Sequence, residues 1–219
     1  MIVTIGGIKG GCGKSLIATN LVVMRAMKKR KVLLVDGDEQ GTSSDWAQHR
    51  IALGIHTPWT TIRLKAHAVR SEVKKLRSDY DDIIIDCGGR DTTSLRAALT
   101  VSDVLLVPFQ PKSFDIWTIS QVCSLVSEAK AINDSLLVYA CINCGSSRGS
   151  DNDEAQKILA QEEDFLLLPA TLGLRKSFSN ATAQGLGVME ANVDDKAISE
   201  IRRLHDTIFT SQRHKGALC

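Results

Sequence analysis

No stretch of this chain is apolar for the roughly 20 residues that a bilayer-crossing helix takes, so a membrane-spanning protein is not expected. The opening MIVTIGG has no charged leader region and runs straight into a strand-like pattern, which argues against a secretory signal. Charge of one sign is missing too. With 27 Lys and Arg against 25 Asp and Glu, the net charge of +2 does not mark a nucleic-acid binder, and any basic surface has to come from local clustering. The six cysteines (Cys12, Cys87, Cys123, Cys141, Cys144 and Cys219) lack the spacing of a disulfide framework and read as reduced thiols of a cytoplasmic protein. No linker, repeat or low-complexity segment divides the chain, so residues 1–219 are expected to form a single domain.

What is present is a regular alternation of apolar, β-branched runs with helical patterns. Strands are predicted at 2–5, 31–36, 60–64, 82–86, 104–108, 136–142 and 165–169. Several are almost continuously apolar, as strands covered on both faces of a parallel sheet have to be. Helices are predicted over 15–29, 42–53, 68–78, 92–101, 114–132, 151–163, 176–184 and 194–210. The expected fold is therefore α/β: a doubly wound, mainly parallel sheet with helices on both faces. In such sheets ligands bind at the carboxyl ends of the strands. Gly6, Asp36, Asp86, Pro108 and Asn143 mark those ends.

The first strand leads into GGIKGGCGKS. Gly7, Gly10, Gly11 and Gly13 allow the backbone to curl its N–H groups around phosphate oxygens, and the following helix adds its positive end. In that pattern Lys14 neutralises the β and γ phosphates and the Ser15 hydroxyl ligates Mg²⁺. Position 8 is Ile where the strict loop has Gly, and a second lysine, Lys9, lies inside the loop. The second strand ends in DGDEQ, whose carboxylates Asp36 and Asp38 can support a hydrated metal and position a water. The fourth ends in IIIDCGG, which carries Asp86 to the metal and places Gly88 and Gly89 where a switch loop would need them.

Together KGGCGKS (9–15), DGDEQ (36–40), IIIDCGG (83–89), VPFQPKSFD (107–115) and RKSFSNATAQGLGVME (175–190) resemble the ParA/MinD family of deviant Walker A ATPases, and most of all its small ParA-type partition proteins. The resemblance spans about residues 1–210. It implies that Lys9 is the signature lysine, reaching across an ATP-sandwiched homodimer to the partner's phosphates, so that glycine is not needed at position 8. It further implies that Asp38 supports water attack, that Asp36 is a second acid near the metal, and that Asn143 hydrogen-bonds the adenine edge with Pro111 near the base. Gly10, Gly11, Cys12, Gly13, Lys14, Ser15 and Leu16 would then surround the nucleotide, with ATP and Mg²⁺ as cofactors. Glu39 departs from the proline usual after the second acid of this motif, and Leu16 from a common threonine.

The implied function is ATP-dependent partition of a plasmid or chromosome with a ParB-type adaptor, the ATP-bound dimer associating with the nucleoid through non-specific DNA contacts. Arg175, Lys176, Arg202 and Arg203 are the candidate DNA contacts, and Arg213, His214 and Lys215 add charge near the end. The closing SQRHKGALC is too polar for the membrane-seeking tail of MinD-type relatives, so no membrane partner is expected. Positioning of a non-DNA cargo, a MinD-like membrane regulator and a carboxylate-activating synthetase are the alternatives. Cys141 and Cys144, three apart on a strand, face opposite sides and read as structural cysteines. Cys12, at a helix N-terminus, is expected to react more readily than the strand cysteines.

Overall fold

The continuous apolar runs do become strands buried on both faces. The computed structural model describes residues 1–112 and 118–210. The strands are β1 (Ile2–Ile5), β2 (Val32–Asp36), β3 (Thr60–Arg63), β4 (Asp82–Asp86), β5 (Val104–Phe109), β6 (Leu137–Gly145) and β7 (Leu166–Gly173). They form one seven-stranded sheet in the order β3-β2-β4-β1-β5-β6-β7, with every pairing parallel. The helices are α1 (Lys14–Met27), α2 (Thr42–Ala52), α3 (His67–Leu76), α4 (Thr93–Leu99), α5 (Ile119–Lys130), α6 (Asp151–Leu159), α7 (Lys176–Ala183), α8 (Val188–Ala191) and α9 (Asp195–Thr210).

Alternate side chains of each central strand enter opposite layers, as the period of two requires. Val32 and Leu34 of β2 join one core with Val3, Ile5 and α1, whereas Leu33 and Val35 join the other with Val69, Val73 and Leu95. The apolar stripe expected on the last helix docks on the first of these cores, with Ala197, Ile201, Leu204 and Ile208 all fully buried. A buried ion pair fastens the far edge of the sheet. Arg25 of α1 meets Asp82 at 2.7 Å, and its guanidinium lies 4.3 Å from the ring of Phe209 on α9.

Most boundaries shift by a few residues from expectation, and two strands shift with a structural consequence. The last two strands run on to Gly145 and Gly173, carrying Pro169 inside β7. That proline is tolerated because β7 is an edge strand paired to β6 alone. The short α8 and a single 3₁₀ turn at Arg77–Asp79 are additions. The start of the helix expected from residue 114, and the tail with Arg213, His214, Lys215 and Cys219, lie outside the described residues.

The strand order decides where a ligand can sit. From β1 the chain moves to β2 and β3 on one side, returns through β4, and only then builds β5, β6 and β7 on the other. The loop leaving β1 therefore opens at the point where the winding reverses. Register places Ile5, Asp86 and Asp36 side by side at that end.

Candidate nucleotide site

The loop from Gly6 to Gly13 is braced through its carbonyls. Lys14 Nζ, on a side chain only 6% exposed, donates to the Lys9 carbonyl at 2.7 Å. Gln110 Nε2, just past β5, donates to the Gly11 carbonyl at 2.8 Å. Asn143 Nδ2, from buried β6, donates to the Cys12 carbonyl at 2.7 Å. Gly13 adopts φ 79°, and a Cβ there would overlap the Asn143 amide. Glycine is needed on both counts. A loop whose carbonyls are held by other elements keeps a fixed concave backbone, the form that binds anions.

On the other side of β1 lie the acids. Asp36 is 1% exposed; its Oδ1 accepts the Asp38 backbone N–H at 3.1 Å and its Oδ2 that of Ser44 at 2.8 Å. The structure thus uses Asp36 to brace the turn after β2 and the first turn of α2, one strand away from Asp86. Asp38 Oδ1 accepts the Gln40 N–H at 3.2 Å, and the side chain lines the cavity. Asp86 is different. Both its carboxylate oxygens are buried and accept no hydrogen bond. Burial raises its pKa to about 7, against the pull of the nearby Ser15 and Ser43 hydroxyls and with a further push from Asp36 and Asp38. An orphaned buried carboxylate beside a hydroxyl suits a divalent cation, which would restore the charged form. Ser15 and Asp86 fit that ion.

The loops after β1, β2 and β4 close around a cavity of about 780 Å³. Gly89 presses so closely on the loop backbone that a Cβ would overlap Gly10, which explains why glycine stands there. Gly10, Gly11, Gly13, Lys14, Ser15 and Leu16 all line this space. Pro111 is buried and, with Asn143, stands on the β5–β6 side, outside that lining. Asn143 gives one amide hydrogen to the loop carbonyl of Cys12, and Cys12 is 4% exposed with its Sγ 3.8 Å from the Gly10 carbonyl. The expected reactivity of Cys12 is therefore corrected: the helix start is there, but the thiol is covered.

Sequence reading missed Gln110, Lys65 and Arg90. Gln110 fell within a quoted motif without a role, and nothing in the local pattern sets Lys65 or Arg90 apart from ordinary surface cations. Of the basic candidates, Lys176, Arg202 and Arg203 are exposed. Arg175 is not available in the same way: its Nη2 and Nε pair with Glu200 at 2.5 and 3.0 Å, tying the end of β7 to α9. Cys141 is fully buried, whereas Cys144 is half-buried at a register shift of β6 with φ 55°.

A phosphate loop at the switch point, a buried acid beside it and flanking glycine-tight loops form the setting in which the family match becomes decisive. Residues 3–212 match the CobQ/CobB/MinD/ParA nucleotide-binding domain. The chain belongs to that family, and it is a ParA/MinD-type ATPase. It is similar to maintenance of carboxysome distribution protein A of Halothiobacillus neapolitanus, 23% identical over 218 residues that cover 94% of this chain and 95% of that one. It is also similar to protein IncC of Escherichia coli, 23% identical over 92% of this chain and 67% of IncC. Among solved structures, a Cyanothece McdA variant in complex with ATP superposes with a TM-score of 0.76 at 15% identity, over 94% of this chain and 95% of the other.

Proposed function

We propose that the chain is a Mg²⁺-dependent ATPase that dimerises around ATP and positions a cargo, its ATP-bound and ADP-bound forms being the two states of a switch. The observation that carries this reading is the unequal placement of the two loop lysines. Lys14 is buried, lines the cavity and is bound to the Lys9 carbonyl, while Lys9 is half-buried and is not among the residues lining that cavity. A loop lysine not committed to its own cavity suits a role in trans, adding positive charge at the partner's phosphates as charge develops there.

In this reading Lys14 and the loop hold the β and γ phosphates, and Ser15 and Asp86 hold Mg²⁺. When bound, that ion neutralises phosphate charge. Asp38, fixed by its bond to the Gln40 N–H, orients the attacking water. Asp38→Ala is expected to bind ATP normally yet release phosphate about 100-fold more slowly, measured by a coupled phosphate assay. Wild-type turnover in that variant would mean that another group orients the water.

For cargo, the reading is a plasmid or chromosome, with a ParB-type adaptor and non-specific DNA held by the exposed Lys176, Arg202 and Arg203. A two-fold dimer would double those charges on one surface, so affinity should fall steeply with salt and rise with ATP. A second reading is a non-DNA cargo, favoured by the match to the carboxysome distribution protein over nearly the whole of both chains. Fluorescence anisotropy on unrelated duplexes, with and without ATP across a salt series, tests the DNA contact. No ATP-dependent binding at low salt would favour an ATPase that works without DNA.

A further inference from the structure

Two cations line the nucleotide cavity without a partner among the described residues: Lys65, in the loop from β3 to α3, and Arg90, in the loop from β4 to α4. Both are exposed side chains. Asp38 and Glu39 line the same cavity, yet neither pairs with them. Both cations are therefore available to an anionic ligand that enters the cavity.

The backbone shows how Lys65 is held. Leu64 N–H donates to the Asp36 carbonyl at 3.0 Å, continuing the β2–β3 ladder past Asp36 and Arg63 and laying the next residue beside the Gly37–Asp38 turn. Ala66 then takes φ 49° and ψ −129°, a conformation that an L residue seldom adopts. Its N–H is tied at 2.8 Å to Oγ of Ser94, a buried residue in the first turn of α4. Strain of this kind persists only where surrounding structure enforces it, and it gathers at functional sites. Arg90 is anchored on both sides as well. Gly89 before it is wedged against Gly10, and Asp91 after it is held by a bidentate pair with Arg96, which also binds Glu128.

Sheet order says which part of a nucleotide these cations would meet. Asn143 and Pro111 lie on the β5–β6 side of β1, whereas β4, β2 and β3 lie successively farther on the other side. A nucleotide whose base lies toward β5 and β6 and whose phosphates follow the loop after β1 places its terminal phosphate toward Asp38, Arg90 and Lys65. We propose that Lys65 and Arg90 form a second cationic arm of the site that grips the terminal phosphate of a nucleoside triphosphate and so distinguishes it from a diphosphate, with Ser94 as the positioning residue for Lys65. This role presupposes the ATPase reading and adds to it the groups that select the triphosphate.

The test is titration calorimetry of the full chain with Mg²⁺ and either a non-hydrolysable ATP analogue or ADP. Lys65→Gln and Arg90→Gln should each weaken the triphosphate about tenfold while leaving ADP within about twofold, and Lys65→Arg should keep the wild-type ratio. Ser94→Ala should shift the ratio in the same direction by less. Equal loss for both nucleotides, or no change in the ratio for Lys65→Gln and Arg90→Gln, overturns the role of the arm while leaving the ATPase intact. A wild-type protein that binds neither nucleotide overturns the ATPase reading and the arm together.

Discussion

The two flanks of the phosphate loop are built on opposite terms. On the β5–β6 flank, the polar side chains that touch the loop are satisfied: Gln110 and Asn143 each spend an amide on a loop carbonyl. On the β4–β2–β3 flank, among the described residues, the Asp86 carboxylate accepts no hydrogen bond, and Lys65 and Arg90 have no ion-pair partner at the cavity wall. Satisfied groups hold a shape. An unsatisfied buried carboxylate costs stability until a ligand completes it, whereas the two exposed cations keep their water until an anion replaces it. The first flank is thus the frame of the site, and the second is the part that ligand and metal complete.

The contrast can be broken hardest at Lys14, in the loop between the two flanks. Lys14→Ala removes the charge facing the phosphates and also the bond to the Lys9 carbonyl, so nucleotide affinity should fall roughly 100-fold, as calorimetry would read it. Asn143→Ala breaks the frame alone. It leaves the Cys12 carbonyl without its buried donor, and unfolding in urea should show a loss of about 1–2 kcal/mol in the absence of any nucleotide. If instead stability holds and only nucleotide affinity drops, Asn143 acts on the ligand rather than on the loop.

The smallest effect sharpens the second flank. The native pKa of Asp86 is raised to about 7 by burial, against about 3.9 for a free aspartate in the unfolded chain. Between those values the native state holds more protons than the unfolded one, so this group's contribution is present below about pH 4 and is lost as pH rises toward about 7. Asp86→Asn should therefore fall less steeply in thermal midpoint across that window than wild type, without metal. Identical slopes would show that the carboxylate is solvated or already satisfied.

The frame was easier to read from residues than the completing flank, for a physical reason. The central strands announce themselves because a sheet covered on both faces demands unbroken apolar runs such as VLLV of β2 and III of β4, while the more exposed edge strand β3 is marked by the β-branched TTI. The loop after β1 is legible because glycine and lysine at that spacing serve few other ends. Asp36 and Arg175 show the limit. Each has the residue type its expected role requires, but Asp36 is used by backbone donors at Asp38 and Ser44, and Arg175 by Glu200, 25 residues away. Such partners are set by tertiary contact and leave no local periodicity. Lys65 is hidden for the same reason: what distinguishes it is the strained Ala66 and its tether to Ser94, 28 residues on.

Light scattering of the intact protein with Mg²⁺ and a non-hydrolysable ATP analogue tests the central claim most directly. The 23.8 kDa chain should double in mass when the analogue is added, Lys14→Ala should stay monomeric for want of nucleotide, and Lys9→Ala should bind the analogue yet lose the dimer or its turnover. A Lys9→Ala protein that dimerises and hydrolyses ATP like wild type, or a wild-type chain that binds the analogue and remains a monomer, would contradict the account.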